Sequence, residues 1–135
     1  MSDLFYRTLF RDLAGLLDMA PFEPNAAGVC ELMLNRRMPL TLVCDDENSR
    51  LLLIGLVNLP KSFPAGLLLS AALNPLHTAG PGIGVDQATG LCMAWQILLR
   101  QTLSAGQVFN ALQALVAWVE QWEKKGLEMV QERAE

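Results

Sequence analysis

The sequence predicts an α+β domain with elements in the order α-β-β-β-α-β-β-α. In it a mainly antiparallel, twisted sheet has helices packed against it. Three observations carry this. Both ends of the chain show helical spacing of apolar residues. Between them lie short apolar runs separated by polar or Gly/Pro turns, which join neighbouring strands as hairpins. In mid-chain, Pro64–Leu73 is apolar nearly all round.

The elements follow in order. Residues 2–19 read as an amphipathic helix, with Ser2 as cap and Asp3 at its positive end. Phe5, Leu9, Leu13 and Leu16 share one face, with Tyr6 and Leu17 beside them, and Pro21 and Pro24 end the helix. Leu4 falls on the polar side near Thr8 and Arg11, so it reads as an exposed contact. Val29–Leu34 is the first strand, turned by residues 35–39. Glu31 within it requires one face to meet water, and the preceding Pro-rich connector makes it a sheet margin. Leu40–Cys44 is the second strand, and 45–49 is a polar turn. Leu51–Val57 is the third, apolar enough to be covered on both faces. Pro64–Leu73 reads as a helix that must be buried from several sides, most simply by a second copy of the chain. Asn74–Gly84 reads as a loop leading into an edge strand, and 86–90 as a hairpin turn. Leu91–Leu99 is the last strand, with Met93, Trp95 and Ile97 on one side. Trp95 is free to be exposed if helices cover only one face. Ser104 and Gln107 form a capping box for the last helix, whose core stripe is Val108, Leu112, Leu115, Val119 and Trp122. Gly126 marks its weakening, and 127–135 reads as a frayed tail. Residues 1–135 are expected to form one domain.

Composition narrows the function. The chain is 52% hydrophobic and 18% charged, which demands a folded core and leaves apolar surface to spare. Its net charge of -4, without a Lys/Arg cluster, argues against nucleic acid and anionic membranes. No segment reads as a signal peptide or membrane span, so a cytoplasmic protein is expected. Cys30, Cys44 and Cys92 are odd in number and lie in apolar runs, as buried reduced thiols do.

Reactive chemistry is sparse. His77 is the only histidine, so no two-histidine metal site exists, and its Pro/Gly loop makes it a surface residue. Gly80–Gly84 lacks the Lys-Ser/Thr of a phosphate loop and leads into a hairpin, not a helix. Asp45, Asp46 and Glu47 read as a solvated turn. No catalytic residue, cofactor or metal is expected.

The N-terminal segment LFYRTLFRDLAGLLDM before a meander, and the closing GLCMAWQILLRQTLSAGQVFNALQALVAWVEQWEKKG, resemble the class I effector chaperones of type III secretion, the Tir-chaperone (CesT-like) family. The resemblance spans roughly residues 3–125. It implies a bacterial cytoplasmic homodimer without catalytic activity. Such a protein holds the N-terminal chaperone-binding segment of a secreted effector in extended form, soluble and competent for export. By this resemblance the second helix and neighbouring strand build the dimer, through Leu67, Leu69, Ser70, Leu73, Ile83 and Val85. Leu4, Phe5, Val29, Glu31, Met33 and Trp95 are then the residues expected to meet the effector. The export ATPase of the secretion system becomes a candidate partner. A rival reading is a dimeric α+β adaptor or scaffold subunit that binds a folded partner.

Overall fold

The computed structural model describes residues 2–35, 37–78 and 80–134. The elements are α1 (Ser2–Leu16), β1 (Val29–Leu34), β2 (Met38–Asp45), β3 (Arg50–Val57), α2 (Ala65–Ala71), α3 (Asn74–Thr78), β4 (Gly82–Val85), β5 (Cys92–Leu99) and α4 (Ala105–Ala134). This is the predicted α+β order with one helix added, because Asn74–Thr78 folds as α3 where a loop was expected. The five strands form one antiparallel sheet in the order β1-β2-β3-β5-β4. By contacts the chain forms two compact units, Met1–Leu53 with Ile97–Gln113 and Ile54–Gln96 with Ala114–Glu135. The expected cap at Ser2 and Asp3 involves side chains outside those described.

In the first unit, α1 buries Tyr6, Leu9, Phe10, Leu13 and Ala14. These recur at i, i+3, i+4, i+7 and i+8, one helical face. The buried stripe is therefore rotated from the predicted one: Leu16 is half exposed and Phe5 only partly covered. The helix stops earlier than Pro21. Asp18 adopts φ 54, its N–H donates to the Gly15 carbonyl, and the Met19 N–H donates to the Ala14 carbonyl. That pair of bonds around one left-handed residue closes the last turn without proline.

β1 and β2 pair from Val29 opposite Val43 to Leu34 opposite Met38. Cys30, Leu32, Leu34, Met38, Leu40 and Leu42 are buried on one face, whereas Glu31, Met33 and Pro39 are exposed on the other. β2 thus begins two residues earlier than predicted and includes Pro39. Pro39 faces Met33 at a position where β1 asks no N–H of it. Burial raises the Cys30 thiol to about 11, so it stays protonated. β3 alternates as well. Leu51, Leu53, Gly55 and Val57 are buried, while Leu52 and Ile54 are half buried and Leu56 is exposed. The second face of β3 is therefore only partly covered among the described residues, not buried as expected.

In the second unit, Val57, Phe63, Ile83, Ala94, Leu115, Val119 and Trp122 are buried. Phe63 and Trp118 each meet Trp122 edge-on, at 5.7 and 5.8 Å between ring centroids. The Trp118 Nε1–H donates to the Gly82 carbonyl at 3.2 Å. α2 packs against β4 but buries no residue fully.

The predicted core stripe of α4 is in place, with all five residues buried. Half of the capping box forms. The Gln107 N–H donates to Ser104 Oγ at 3.1 Å, but Gln107 Oε1 is buried without a partner instead of reaching back. Gly126 does not end the helix, which continues to Ala134. Its role is close approach. A Cβ there would lie 2.9 Å from the Pro60 Cδ and 3.1 Å from the Leu59 Cδ2. A Gly→Ala change in a helix normally gains up to about 1 kcal/mol. Here the rigid proline ring makes overpacking, about 1–3 kcal/mol, the larger effect. Gly126→Ala is therefore expected to lower the thermal midpoint by a few degrees. A raised midpoint in calorimetry would show that the Leu59–Pro60 segment yields freely.

Candidate functional site

The first unit carries an open sheet edge, since among the described residues β1 has a neighbour only in β2. Which of its groups are free follows from register. The Cys44 N–H donates to the Gly28 carbonyl at 2.8 Å. In an antiparallel ladder the direction of hydrogen bonding alternates, so Gly28, Cys30, Leu32 and Leu34 bond toward β2. The N–H and C=O groups of Val29, Glu31 and Met33 aim at the edge. Those of Val29 are already taken. Asn25 donates its N–H to the Val29 carbonyl at 2.9 Å, and its Oδ1 accepts from the Val29 N–H at 3.0 Å and the Ala27 N–H at 2.9 Å. Asn25 thus stands in for one residue of an added strand. The open pairing positions are Glu31 and Met33.

A second feature of this unit is an apolar groove of about 580 Å³, lined by Leu4, Phe5, Thr8, Leu9 and Asp12 of α1 and by Leu103, Ser104 and Ala105. Leu4 is 72% exposed there, as its place on the helix wheel predicts. Phe5 is held edge-on to Tyr6 at 5.2 Å, and the Arg100 guanidinium lies over its ring at 4.8 Å. A third is a polar recess of about 380 Å³ beneath the Asn25 turn, lined in part by Tyr6, Arg7, Gly28, Cys44 and Asp46. The Tyr6 hydroxyl is buried without a hydrogen-bond partner, an arrangement that costs roughly 1–3 kcal/mol. Burial, then the nearby Cys44 and Asp46, raise its pKa above the ordinary phenol value, against a lowering influence from Arg100. It remains a neutral donor.

The acidic turn forms no cation site. Asp45 Oδ2 accepts from Asn48 Nδ2 at 3.0 Å and Arg50 Nε at 2.7 Å, and these bonds hold its carboxyl below the usual range. Among the described residues no three potential metal ligands converge. No described helix is long and apolar enough to cross a membrane.

The structure thus groups Leu4 and Phe5 at the groove and Glu31 and Met33 on the open edge. Val29 is half buried and its main chain is occupied. Trp95 belongs to the second unit, where its ring lies over Gly82, so closely that a Cβ on Gly82 would sit 2.5 Å from Trp95 Cζ2. Also in that unit, Leu67, Leu69, Leu73 and Val85 are large apolar residues left exposed, and Ser70 is exposed beside them. Ile83 is not available as a contact. It is 1% exposed, because alternation along β4 turns it into the core opposite Ala94. Sequence reasoning missed Leu76 of α3, which is 81% exposed and extends the apolar surface of the second unit. It missed Asn25 too, whose only signal was an Asn before a Gly-containing turn.

Fold and surface together describe a small α+β domain with an open sheet edge and exposed apolar side chains. Comparison with known proteins makes this specific. The Tir chaperone protein (CesT) family matches residues 8–123. A chain of the HopA1–SchA chaperone–effector complex is 40% identical, with 92% of this chain and 97% of that one covered at a TM-score of 0.87. A chain of the ExsC–ExsE complex is 21% identical, covering 90% and 93%, at 0.76. The complex of the Yersinia pestis type III secretion chaperone SycH with a stable fragment of YscM2 has a chain 17% identical, covering 87% and 98%, at 0.73. The last two share the fold. No curated protein sequence matches. The chain belongs to the Tir chaperone protein (CesT) family.

The Asn25 plug is directly testable. Asn25→Ala removes the acceptor of two N–H groups and is expected to cost about 1 kcal/mol. Amide exchange at Ala27 and Val29 should accelerate while Leu32 stays protected. Unchanged exchange at Val29 would mean that Asn25 does not hold the edge.

Proposed function

We propose that this protein is an effector-binding chaperone of type III secretion. It would hold the N-terminal segment of a secreted effector in extended form in the bacterial cytoplasm and keep it soluble and export-competent. The single observation that carries the reading is the open edge at Glu31 and Met33, in the same unit as the apolar groove at Leu4. An extended segment adds to such an edge through main-chain hydrogen bonds, while apolar surface takes alternate side chains. That work needs no reactive group, so the protein acts without catalysis. Family membership and the 40% identity to a chain of a chaperone–effector complex support the same reading.

The second unit supports self-association. Leu69, 72% exposed, and with it Leu67, Leu73 and Val85, leave several large apolar side chains of this unit open to a partner. We assign it to a homodimer through α2 and β4, with Ser70 at its margin. Light scattering of the wild type at micromolar concentration should give the dimer mass, and Leu69→Glu should give monomer or aggregate, since it places a charge in a dry interface. A monomeric wild type would remove the dimer. The export ATPase is retained as a further partner of this class of protein.

Client binding is tested with peptides from the N-termini of proteins secreted by the same system. On binding, amide exchange should slow at Glu31 and Met33 and within Leu4–Leu13, but not at Val29, whose N–H is already held. Leu4→Asp should leave the thermal midpoint nearly unchanged and weaken binding by about tenfold, the worth of one apolar contact. Protection confined to His77 and 80–84 would replace this reading with a small-ligand site.

A further inference from the structure

The open edge carries a charge that the chain's own sheet leaves unanswered. On β1, Glu31 and Met33 lie on the exposed face, away from the buried Cys30, Leu32 and Leu34. Toward β2 their cross-strand neighbours are Thr41 and Pro39, both uncharged. Among the described residues, no ion pair or hydrogen bond reaches the Glu31 carboxylate. Cross-strand pairs on one face are the unit that stabilises a sheet. Opposite charges directly across favour pairing, and like charges oppose it. On its open side Glu31 therefore selects among segments that add to the edge.

Register fixes where that selection acts. The main-chain groups of Glu31 and Met33 aim outward, and those of Val29 are held by Asn25. The ladder open to an added segment is thus two positions long. Residues directly opposite each other put their side chains on the same face, and positions two apart share it. One residue of the segment stands against Glu31, and the residue two away stands against Met33. Met33 is 53% exposed and unbranched, so it accepts apolar side chains of varied shape with little discrimination. A carboxylate discriminates more sharply, because it distinguishes by sign. The net charge of -4 on the whole chain acts in the same sense on an approaching cation.

We propose that Glu31 is a specificity-determining residue of the edge, and that the client segment carries a Lys or Arg opposite Glu31 and an apolar residue two positions away, opposite Met33. This rests on the chaperone reading and adds a sign of charge to it. The order of the two residues in the client reports strand direction: apolar first in an antiparallel addition, cation first in a parallel one.

A charge at Glu31 also blunts the edge against unspecific pairing, so the test uses a variant that keeps that role. Glu31→Lys leaves a charge on the edge and, at an exposed position, should leave the thermal midpoint nearly unchanged. The full chain is screened against a displayed library of random peptides. Wild-type protein should enrich Lys or Arg two residues from an apolar one. Glu31→Lys should enrich Asp or Glu at that position instead, and Glu31→Gln neither sign. Added salt should flatten the preference, since exposed groups carry it. For one selected peptide, Glu31→Lys, and Lys→Glu in the peptide, should each weaken binding roughly 2- to 5-fold, and the two together should restore it. A cation preference that survives in Glu31→Lys, as one set by Asp12 of the groove would, overturns the assignment. Enrichment of apolar peptides without any charged position would also overturn it and leave the chaperone reading standing. No enrichment by the wild type would overturn both.

Discussion

Leu40, Leu42, Leu51 and Leu53 are each 1% exposed or less and lie on one face of paired strands. Their alternation with half-buried and exposed neighbours commits that face to a core and the opposite face to the surface. The character of the open edge in the first unit follows from this one-sided burial. Slipping β1 by one residue would exchange Leu32 for Glu31 in the core, so the register in which Leu32 opposes Leu40 is strongly held. That same register determines which main-chain groups reach the open edge. Core packing and the pattern of the open edge are two consequences of one pairing.

An open edge is normally a hazard, and this chain limits it locally. Glu31 puts a charge on the exposed side of β1, and Asn25 occupies the hydrogen-bonding positions of Val29. What remains is short: two residues, with Met33 the one large apolar side chain among them. A short edge of this kind offers little to unspecific sheet growth. The exposed Leu4 of α1 and Leu69 of α2 sit on helices, where they cannot extend a sheet, whereas Val85 lies on β4, the strand at the other end of the order.

The resemblance read from the two end segments agrees with the family that matches residues 8–123. Several local features were legible for clear reasons. The stripe from Val108 to Trp122 obeys helical period over many residues, and the exposure of Leu4 follows from the same wheel. Others were not. The α1 stop rests on Asp18 in a left-handed conformation, which a non-glycine residue seldom announces. Gly126 reads as a helix breaker, but its meaning depends on Leu59 and Pro60, distant in sequence. Ile83 was expected at the interface because the resemblance assigns the neighbouring strand to the dimer; only its pairing with Ala94 and its burial show that it faces inward.

By itself the sequence determined the α+β class, the sites of the turns, the stripe of the last helix and the absence of a two-histidine metal site. These depend on residue type and spacing within short windows, where periodicity is the physical signal. Tertiary structure decided which groups are left without partners. The occupied edge at Val29, the unused Tyr6 hydroxyl and the open groove at Leu4 all depend on register and on contacts between residues far apart in the chain. A hydrogen bond not made has no local signature in sequence, because it depends on where every other donor and acceptor has gone.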